Sequence, residues 1–313
     1  MWVIRIFEER VAALAKGRQL PGTVHTSIGQ EAVAVGACAG LRDSDLIVST
    51  HRGHGHCIAK GMHVDRAMAE LFGKATGACK GKGGSMHIAD PSIGILGANG
   101  IVGAGLPIAA GAAMARQLAG KEDVVLAFFG EGATSTGAFH EALNLATLWS
   151  LPVIFLCENN GFVEFLPATE LTRAPDVIAP AQAQGVAAIR VDGNDVETVR
   201  DAVAHAAAQC RAGSGPWLIE AVTSRWAGHY EGDPRAFGLK ESLPAERLRD
   251  PLETQYERLS SLDPDAASIR EEIIAEARQL VAQAEERARA ADYPDPSEAF
   301  TDVYADGFGP AAL

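Results

Sequence analysis

Two uniformly apolar runs, separated by a helix-like segment, give the strongest structural signal in the chain. Residues 124–129 (VVLAFF) and residues 153–157 (VIFLC) contain no charged or strongly polar side chain. Such runs are typical of strands that are buried on both faces of a parallel sheet. Together the three elements predict a β–α–β unit in which both strands end at the same edge of the sheet.

Hydrophobic periodicity predicts further helices and strands on either side of this unit. Helices are expected over residues 3–16, 29–40, 65–73, 101–119, 196–210 and 265–292, and strands within residues 44–60, near 187–191 and over 217–222. Glycine-rich residues 74–100 are expected to contain little regular structure, and residues 74–84 to be mobile until a ligand orders them. We therefore predict an α/β fold with a mostly parallel central sheet flanked by helices. It would form a single domain over residues 1–313, with an extended helical segment at about 245–292.

The composition excludes several classes of protein. The 313 residues carry a net charge of -13, which argues against binding of nucleic acid. No apolar run reaches the length of a membrane span, and residues 1–17 are charged and helix-periodic, unlike a signal peptide. Five cysteines lie far apart without a CxxC pair, as in reduced proteins. We expect a cytoplasmic protein that binds neither nucleic acid nor membrane.

Each strand of the β–α–β unit ends in polar residues that suit a cation and a phosphate. Glu131 stands between Gly130 and Gly132 after the first strand, and Asn160 closes the second. Carboxylate and amide oxygens are suitable ligands for Mg²⁺, and Mg²⁺ usually accompanies a phosphate. Gly132 and Ala133 leave room for backbone N–H groups to approach that phosphate near a helix start. An ordinary β–α–β unit with polar strand ends is the alternative interpretation.

Three histidines and an arginine within residues 51–56 (HRGHGH) form a second candidate site. Arg52 is suited to bidentate contact with a phosphate group. The imidazoles make a zinc site the main competitor, but residues two apart in a loop do not converge on one ion. No cysteine pair completes a set of zinc ligands either. A tight turn with structural histidines is the third interpretation.

Glycine-rich turns elsewhere contain two more candidate histidines. His87 follows a glycine pair, and residues 97–103 (GANGIVG) form a turn whose backbone N–H groups can hold a diphosphate or a pyrimidine ring. His229 lies near Arg225 after the predicted strand over 217–222, where an imidazole can bind an anion or transfer protons. A structural role for His87 and an ordered surface loop around His229 are the alternatives.

These segments together resemble the alpha subunits of the two-subunit thiamine diphosphate dehydrogenases, which act on 2-oxo acids or acetoin. The likeness is carried by residues 7–10 (FEER), 28–32 (IGQEA), 51–61 (HRGHGHCIAKG), 81–90 (GKGGSMHIAD), 96–103 (LGANGIVG) and 228–234 (GHYEGDP). Within this family the resemblance is closest to the acetoin dehydrogenase alpha subunit. The diphosphate motif of thiamine diphosphate enzymes is Gly-Asp-Gly followed later by Asn-Asn. Here Glu131 replaces the aspartate, as in branched-chain 2-oxo acid dehydrogenases, and Phe162 stands where a tyrosine is common.

The resemblance implies a thiamine diphosphate-binding fold and a role for each matching residue. Glu131, Asn160 and the carbonyl group of Phe162 would ligate Mg²⁺. The cofactor-binding residues would be His51, Arg52, Gly100, Ile101, Val102, Gly130, Gly132, Ala133, Asn160 and His229. Among them Arg52 and His229 would contact the diphosphate, and Ile101 and Val102 would face the aminopyrimidine. His87 and His229 would be catalytic, as imidazoles that stabilise an oxyanion or move protons.

The resemblance also implies an activity and partners. The chain is expected to be the alpha subunit of a component that cleaves acetoin, a small-molecule substrate, and passes the acetyl unit to a lipoyl-bearing acyltransferase component. A beta subunit would complete an α2β2 heterotetramer, and the small-residue faces of residues 29–40 and 103–115 favour close packing at a subunit interface. Oxidative decarboxylation of pyruvate or of a branched-chain 2-oxo acid is the alternative activity. A non-catalytic module that binds Mg²⁺ with a phosphate ligand, and a subunit that has lost its cofactor, are alternatives of other classes.

Overall fold

A six-stranded parallel sheet forms the centre of the protein. The computed structural model describes residues 1–174, 176–233 and 249–302. The strands are β1 (Leu46–Thr50), β2 (Ile95–Asn99), β3 (Val125–Gly130), β4 (Val153–Asn159), β5 (Phe162–Val163), β6 (Leu166–Pro167), β7 (Ala187–Asp192) and β8 (Trp217–Val222). The sheet has the order β2–β1–β3–β4–β8–β7 with every neighbouring pair parallel, and β5 and β6 form a separate antiparallel hairpin. The predicted α/β fold with a mostly parallel central sheet is confirmed.

Helices cover both faces of this sheet. They are α1 (Trp2–Lys16), α2 (Glu31–Ala39), α3 (His54–Ala59), α4 (Val64–Leu71), α5 (Gly105–Leu118), α6 (Gly137–Leu148), α7 (Ile178–Gln182), α8 (Val196–Arg211), α9 (Pro251–Leu262) and α10 (Ala266–Ala290). Leu126 and Phe128 of β3 share one apolar cluster with α1, α2, α8 and α10, whereas Val125, Ala127 and Phe129 share the other with α5 and α6. Both faces of β3 are therefore buried, which explains why its run is apolar at every position. Among the described residues, no helix is long and apolar enough to cross a membrane.

The strand register brings the polar strand ends together. Gly130 at the end of β3 lies opposite Glu158 of β4, and Asn159 at the end of β4 lies opposite Val222 of β8. The ends of three neighbouring strands therefore lie side by side at one edge of the sheet. In an open parallel sheet, this carboxyl edge is where ligands bind.

The observed elements differ from the predicted ones mainly in the glycine-rich segment. Residues 95–99, expected to lack regular structure, form the edge strand β2. The sequence concealed this strand because Gly97 interrupts it at a φ of +146°, and its pairing with β1 is irregular after Ile47. Helix α5 begins at Gly105, four residues later than predicted. The helical segment predicted at about 245–292 contains α9 and α10, and its residues 245–248 lie outside the described part of the chain.

The small residues of α2 and α5 have different surroundings. An added Cβ at Gly36 would lie 2.6 Å from the carbonyl oxygen of Val196, and one at Gly40 would lie 2.7 Å from that of Arg200. Helix α8 therefore occupies this face of α2 within the chain, and the expectation of a subunit interface there is wrong. On α5, an added Cβ at Gly111 would meet no described atom within 4 Å. The outer face of α5 is thus open in the single chain.

A buried carboxylate holds the loop of residues 74–84. Glu70, at the end of α4, has no exposed surface. Its Oε2 accepts the backbone N–H groups of Cys79 at 2.7 Å and Gly81 at 2.9 Å, and its Oε1 accepts those of Gly83 at 2.8 Å and Gly84 at 3.0 Å. The loop was expected to be mobile because it has few apolar anchors, but a single charged group anchors it instead.

The segment that follows α10 packs along the outside of the same loop. The carbonyl oxygen of Asp292 accepts the N–H of Ala75 at 3.0 Å, and that of Ala291 accepts from Lys74 Nζ at 2.9 Å. Farther along, Lys82 Nζ lies 2.8 Å from Asp302 Oδ2. The loop is therefore held from the inside by α4 and from the outside by residues 291–302.

Candidate active site

A cleft opens at the carboxyl ends of β1, β3 and β4, with a volume of about 110 Å³. Most of the residues that the sequence singled out line it: His51, Arg52, Ile101, Val102, Gly130, Glu131, Gly132, Ala133, Asn160, Phe162 and His229. The parallel sheet explains this convergence, because each of these residues lies at or shortly after the end of a strand, or in a loop that packs against one.

Two predicted residues lie at the rim of the cleft instead. Neither Gly100 nor His87 is among the described residues that line it, and His87 is exposed. The two adjoin each other, since an added Cβ at Gly100 would lie 3.4 Å from His87 Cε1. A catalytic role for His87 therefore needs its imidazole to reach the cleft when the cofactor or a partner subunit is bound.

The candidate cation ligands Glu131, Asn160 and Phe162 all line the cleft. Glu131 begins a 3-10 turn directly after β3 and is 6% exposed, and Asn160 follows β4 and is 7% exposed. Asn160 Nδ2 donates to Gln30 Oε1 at 3.2 Å, and Asn160 Oδ1 accepts the N–H of Phe162 at 3.1 Å. Gln30 thereby orients the carboxamide, whose oxygen has a second lone pair. A buried carboxylate beside an oriented amide oxygen is a donor set that fits Mg²⁺.

Close backbone packing shapes the cleft beside these residues. An added Cβ at Gly132 would lie 2.7 Å from Val163 Cγ1, so glycine is needed under β5. Helix α6 begins a few residues later, where Thr136 Oγ1 accepts the N–H of Phe139 at 3.3 Å. The N-terminus of α6 carries a partial positive charge, and its approach to the cleft near Ala133 suits a diphosphate group.

Arg52 joins two segments of the site through its guanidinium group. The residue is 4% exposed, and its Nη1 donates to the carbonyl oxygen of Thr26 while its Nη2 donates to that of His229 at 3.0 Å. Burial, followed by the charge of Arg225, lowers the pKa of Arg52 to about 9. The group is therefore still charged at neutral pH but costly to bury. An anionic ligand would offset that cost, so the cleft favours a phosphate at this position.

Three imidazoles stand together beside Arg52. The ring centroid of His25 lies 4.8 Å from that of His51 and 5.0 Å from that of His229. Burial, and then the charge of Arg52, lowers the pKa of His25 to about 3, of His51 to about 2 and of His229 to about 4. All three rings are therefore neutral at pH 7, with one nitrogen that donates and one that accepts.

The other two histidines of the HRGHGH motif point elsewhere. His54 has no exposed surface, and its Nδ1 lies 2.9 Å from Glu8 Oε2 while its Nε2 lies 2.9 Å from Ser85 Oγ. His56 stacks on Phe128 with a centroid distance of 3.7 Å. The three imidazoles of the motif thus have separate surroundings and do not form one zinc site.

Sequence reasoning missed several residues of the site. His25 is a lone histidine ahead of a helix, so no strand end or glycine turn marked it. Gln30 stands within residues 28–32 (IGQEA), a segment that carries the family likeness without giving this side chain a role. Glu158 belongs to the polar strand end that includes Asn160, and its position at the tip of β4 was the available signal.

Comparison with known proteins decides the family. The model of the dehydrogenase E1 component family matches residues 1–297. The chain belongs to this family. Similar proteins include the alpha subunits of acetoin:2,6-dichlorophenolindophenol oxidoreductase from Bacillus subtilis, 45% identical over 304 residues (97% of this chain and 91% of the relative), and from Cupriavidus necator, 42% identical over 305 residues (97% and 92%). The pyruvate dehydrogenase E1 component subunit alpha of Rhizobium meliloti is 36% identical over 304 residues (97% and 87%). The resemblance identified from the motifs is confirmed.

Membership in the E1 component family makes the chain part of a thiamine diphosphate-dependent oxidoreductase, as an alpha subunit that acts with a beta subunit. The cleft suits that cofactor at both ends. Arg52 and the start of α6 offer positive charge for a diphosphate. Ile101 and Val102 are 72% and 55% exposed in the single chain, although apolar, and can pack against an aromatic ring.

Proposed function

We propose that the chain is the alpha subunit of an enzyme component that cleaves acetoin and passes the acetyl unit to a lipoyl carrier. Relatives named for acetoin oxidation are 45% and 42% identical to it, against 36% for the pyruvate dehydrogenase relative from Rhizobium meliloti. The observation that carries the proposal is the convergence of an acid, an oriented amide, a buried guanidinium and the two neutral imidazoles of His51 and His229 at one cleft. Oxidative decarboxylation of pyruvate or a branched-chain 2-oxo acid is the second candidate, since the pyruvate dehydrogenase relative covers as much of the chain.

Mg²⁺ would be held by the Glu131 carboxylate, Asn160 Oδ1 and the Phe162 carbonyl group. Arg52 would bind the diphosphate while keeping its bonds to the carbonyl groups of Thr26 and His229, so little reorganisation is needed. The backbone N–H groups of Gly132 and Ala133 would approach the same diphosphate, beside Gly130, and Gly100, Ile101 and Val102 would border the aminopyrimidine. When bound, thiamine diphosphate supplies a nucleophilic carbon that adds to a carbonyl group.

The neutral imidazoles would form hydrogen bonds with the oxygen atoms and hydroxyl groups of the substrate. Because the pKa of His229 is lowered to about 4, its ring is neutral at pH 7 and can donate a hydrogen bond to a carbonyl oxygen from one nitrogen while accepting one from a hydroxyl group at the other. His51 lines the cleft as well, and His25 packs against both rings. His87 would contribute from the rim, and its imidazole would have to move toward the cleft.

The proposed partners are a beta subunit, in an α2β2 heterotetramer, and a lipoyl-bearing acyltransferase component, in the cytoplasm. The open face of α5 supports a contact with another subunit, since Ile108 is 47% exposed and Leu118 is 82% exposed. Gly111 on the same helix leaves room for another helix to approach closely. Ile101 and Val102 precede this helix, so a subunit docked there would also reach the cleft.

Replacing Glu131 with alanine tests the proposal. The chain, purified with its beta subunit, should lose Mg²⁺-dependent binding of thiamine diphosphate in calorimetry while keeping its circular dichroism spectrum. The matched control is Glu122→Ala, an exposed glutamate that pairs with Arg42 on the surface, which should bind as wild type. Acetyl transfer to a lipoyl acceptor should be faster with acetoin than with pyruvate. Full cofactor binding by the Glu131 variant would refute the metal assignment, and a preference for pyruvate would favour the second candidate.

A further inference from the structure

One carboxylate of the cleft has no role in the function proposed above. Glu158 is 4% exposed and lines the cleft. It is the register partner of Gly130, which precedes Glu131, and it stands two residues before Asn160. The two candidate cation ligands therefore flank Glu158 on neighbouring strand ends.

The two carboxylate oxygens of Glu158 have different surroundings. Oε2 lies 3.2 Å from His56 Nε2. Oε1 is buried and accepts no hydrogen bond from any group within residues 1–174, 176–233 and 249–302. Burying a carboxylate oxygen without a donor is unfavourable by roughly 1–3 kcal/mol or more. A ligand that brings a donor or a positive charge to Oε1 would relieve this cost.

The imidazole of His56 lies in a fixed position beside the carboxylate. The ring is 1% exposed and stacks on Phe128 at an interplanar angle of 9°. Its Nδ1 lies 2.9 Å from Ser49 Oγ, so both ring nitrogens have a polar neighbour. The stacking contact and the Ser49 contact at Nδ1 fix the ring, so Nε2 faces Glu158 Oε2 at 3.2 Å, although Nε2 makes no hydrogen bond within the described residues.

The chemistry of the expected ligands decides what Oε1 can meet. A diphosphate presents oxygen acceptors, which repel a carboxylate, whereas a hydrated divalent cation presents water protons. Mg²⁺ in proteins usually keeps several of its water molecules. We propose that Glu158, oriented by His56, accepts a hydrogen bond from a water molecule on the Mg²⁺ ion and so strengthens cation binding. This role rests on the proposed function, which supplies the Mg²⁺ and the diphosphate.

A competing role for Glu158 is that of a counter-ion to Arg52. Burial and Arg225 lower the pKa of Arg52, and the negative charge of Glu158 opposes that change. A counter-ion of Arg52 would alter the affinity for the diphosphate. A partner of the cation's water would alter the affinity for the cation. The two roles can therefore be separated by measuring the two affinities independently.

Glu158→Gln removes the charge while keeping the shape of the side chain. The protein is purified with its beta subunit, saturated with thiamine diphosphate, and titrated with Mg²⁺ by calorimetry and with Mn²⁺ by electron paramagnetic resonance. Neither measurement needs turnover. We expect the Kd of both cations to rise about 10- to 100-fold, which is the usual effect of removing a residue that is hydrogen-bonded to a ligand of the metal ion. The affinity for thiamine diphosphate at saturating Mg²⁺ should stay near that of wild type.

Two further variants complete the test. His56→Asn frees the carboxylate without removing it, and should raise the cation Kd by a smaller factor, about three- to tenfold. Glu285→Gln is the matched control, because this buried glutamate of α10 pairs with Arg10 and Arg289, outside the cleft. It should leave both cation constants unchanged.

The possible results separate this role from the proposed function. A folded Glu158→Gln protein with the cation affinity of wild type would overturn the role of Glu158 and leave the proposed function intact. A change confined to thiamine diphosphate affinity at saturating Mg²⁺ would also overturn it, by assigning Glu158 to Arg52. If Glu158→Gln fails to fold, His56→Asn is judged by the same two affinities. Absence of cation-dependent cofactor binding in wild type would instead overturn the proposed function.

Discussion

Replacing Glu70 with glutamine should open the loop of residues 74–84 while leaving the rest of the fold in place. The carboxylate of Glu70 accepts four backbone N–H groups, two at each oxygen. In the amide one oxygen becomes an NH₂ group, so two N–H donors face another donor instead of an acceptor. The variant therefore loses two bonds to a charged group and gains a repulsive contact.

The size of the effect follows from those two bonds. A hydrogen bond to a charged group contributes roughly 1.5–3 kcal/mol, so the gross loss is about 3–6 kcal/mol. Water can reach part of the loop, because Cys79 and Gly81 are only partly buried, and its hydrogen bonds would replace part of the lost free energy. We expect the free energy of local opening to fall by about 2–3 kcal/mol, which speeds hydrogen exchange about 30- to 140-fold.

Hydrogen–deuterium exchange with mass spectrometry measures this directly in peptides that cover residues 77–90. Exchange should rise there and stay unchanged in β3 and β4, and acetyl transfer should fall because His87 follows the loop. Glu276→Gln on the exposed side of α10 is the control. If exchange in residues 79–84 is the same in Glu70→Gln as in wild type, the four hydrogen bonds do not anchor the loop, and the reasoning is wrong.

Three further predictions concern the cleft. His25, His51 and His229 have lowered pKa values in the folded protein, against about 6.5 in the unfolded chain. Through these groups, the free energy of unfolding should therefore not change with pH above 6.5, and it should fall as the pH drops toward 4, because the unfolded chain binds protons first. In urea unfolding over that range His25→Gln should reduce the slope of stability against pH by up to about 1.4 kcal/mol per pH unit, and an unchanged slope would contradict the assignment. Gly132→Ala should weaken thiamine diphosphate binding because its Cβ would meet Val163, and calorimetry should show recovery in the double variant with Val163→Ala. Arg52→Lys should lower both the Tm and the cofactor affinity, since a lysine cannot bridge two carbonyl groups as the guanidinium does; equal affinity would argue against a diphosphate contact.

The core of the fold could be predicted because its signals are local. The runs of β3 and β4 are apolar at every position since both faces are covered, and this can be seen without any tertiary information. Edge strand β2 could not be found in this way. It contains Gly97, pairs irregularly with β1, and owes its existence to that neighbour rather than to its own sequence.

The site residues that directly follow strands could be predicted from the sequence. The residues that reach the cleft through tertiary packing could not. Glu131 and Asn160 lie at strand ends, so topology alone brings them together. His25 and Gln30 precede a helix, and their proximity to the cleft depends on how that segment packs against Arg52 and Asn160. The anchoring of the loop by Glu70 was hidden for the same reason, because the helix residue itself gives no sign that four N–H groups converge on it.

The contacts of residues 291–302 matter for anyone who redesigns the ends of this polypeptide. Lys74 donates to a carbonyl group 217 positions later in the chain, so shortening the protein after α10 would strip the outer support from a loop near the cleft. Such a truncated enzyme would keep the fold of the central sheet and still transfer acetyl groups poorly. Conversely, substitutions in residues 291–302 offer a way to tune the stiffness of that loop from a distance, without altering any group in the cleft.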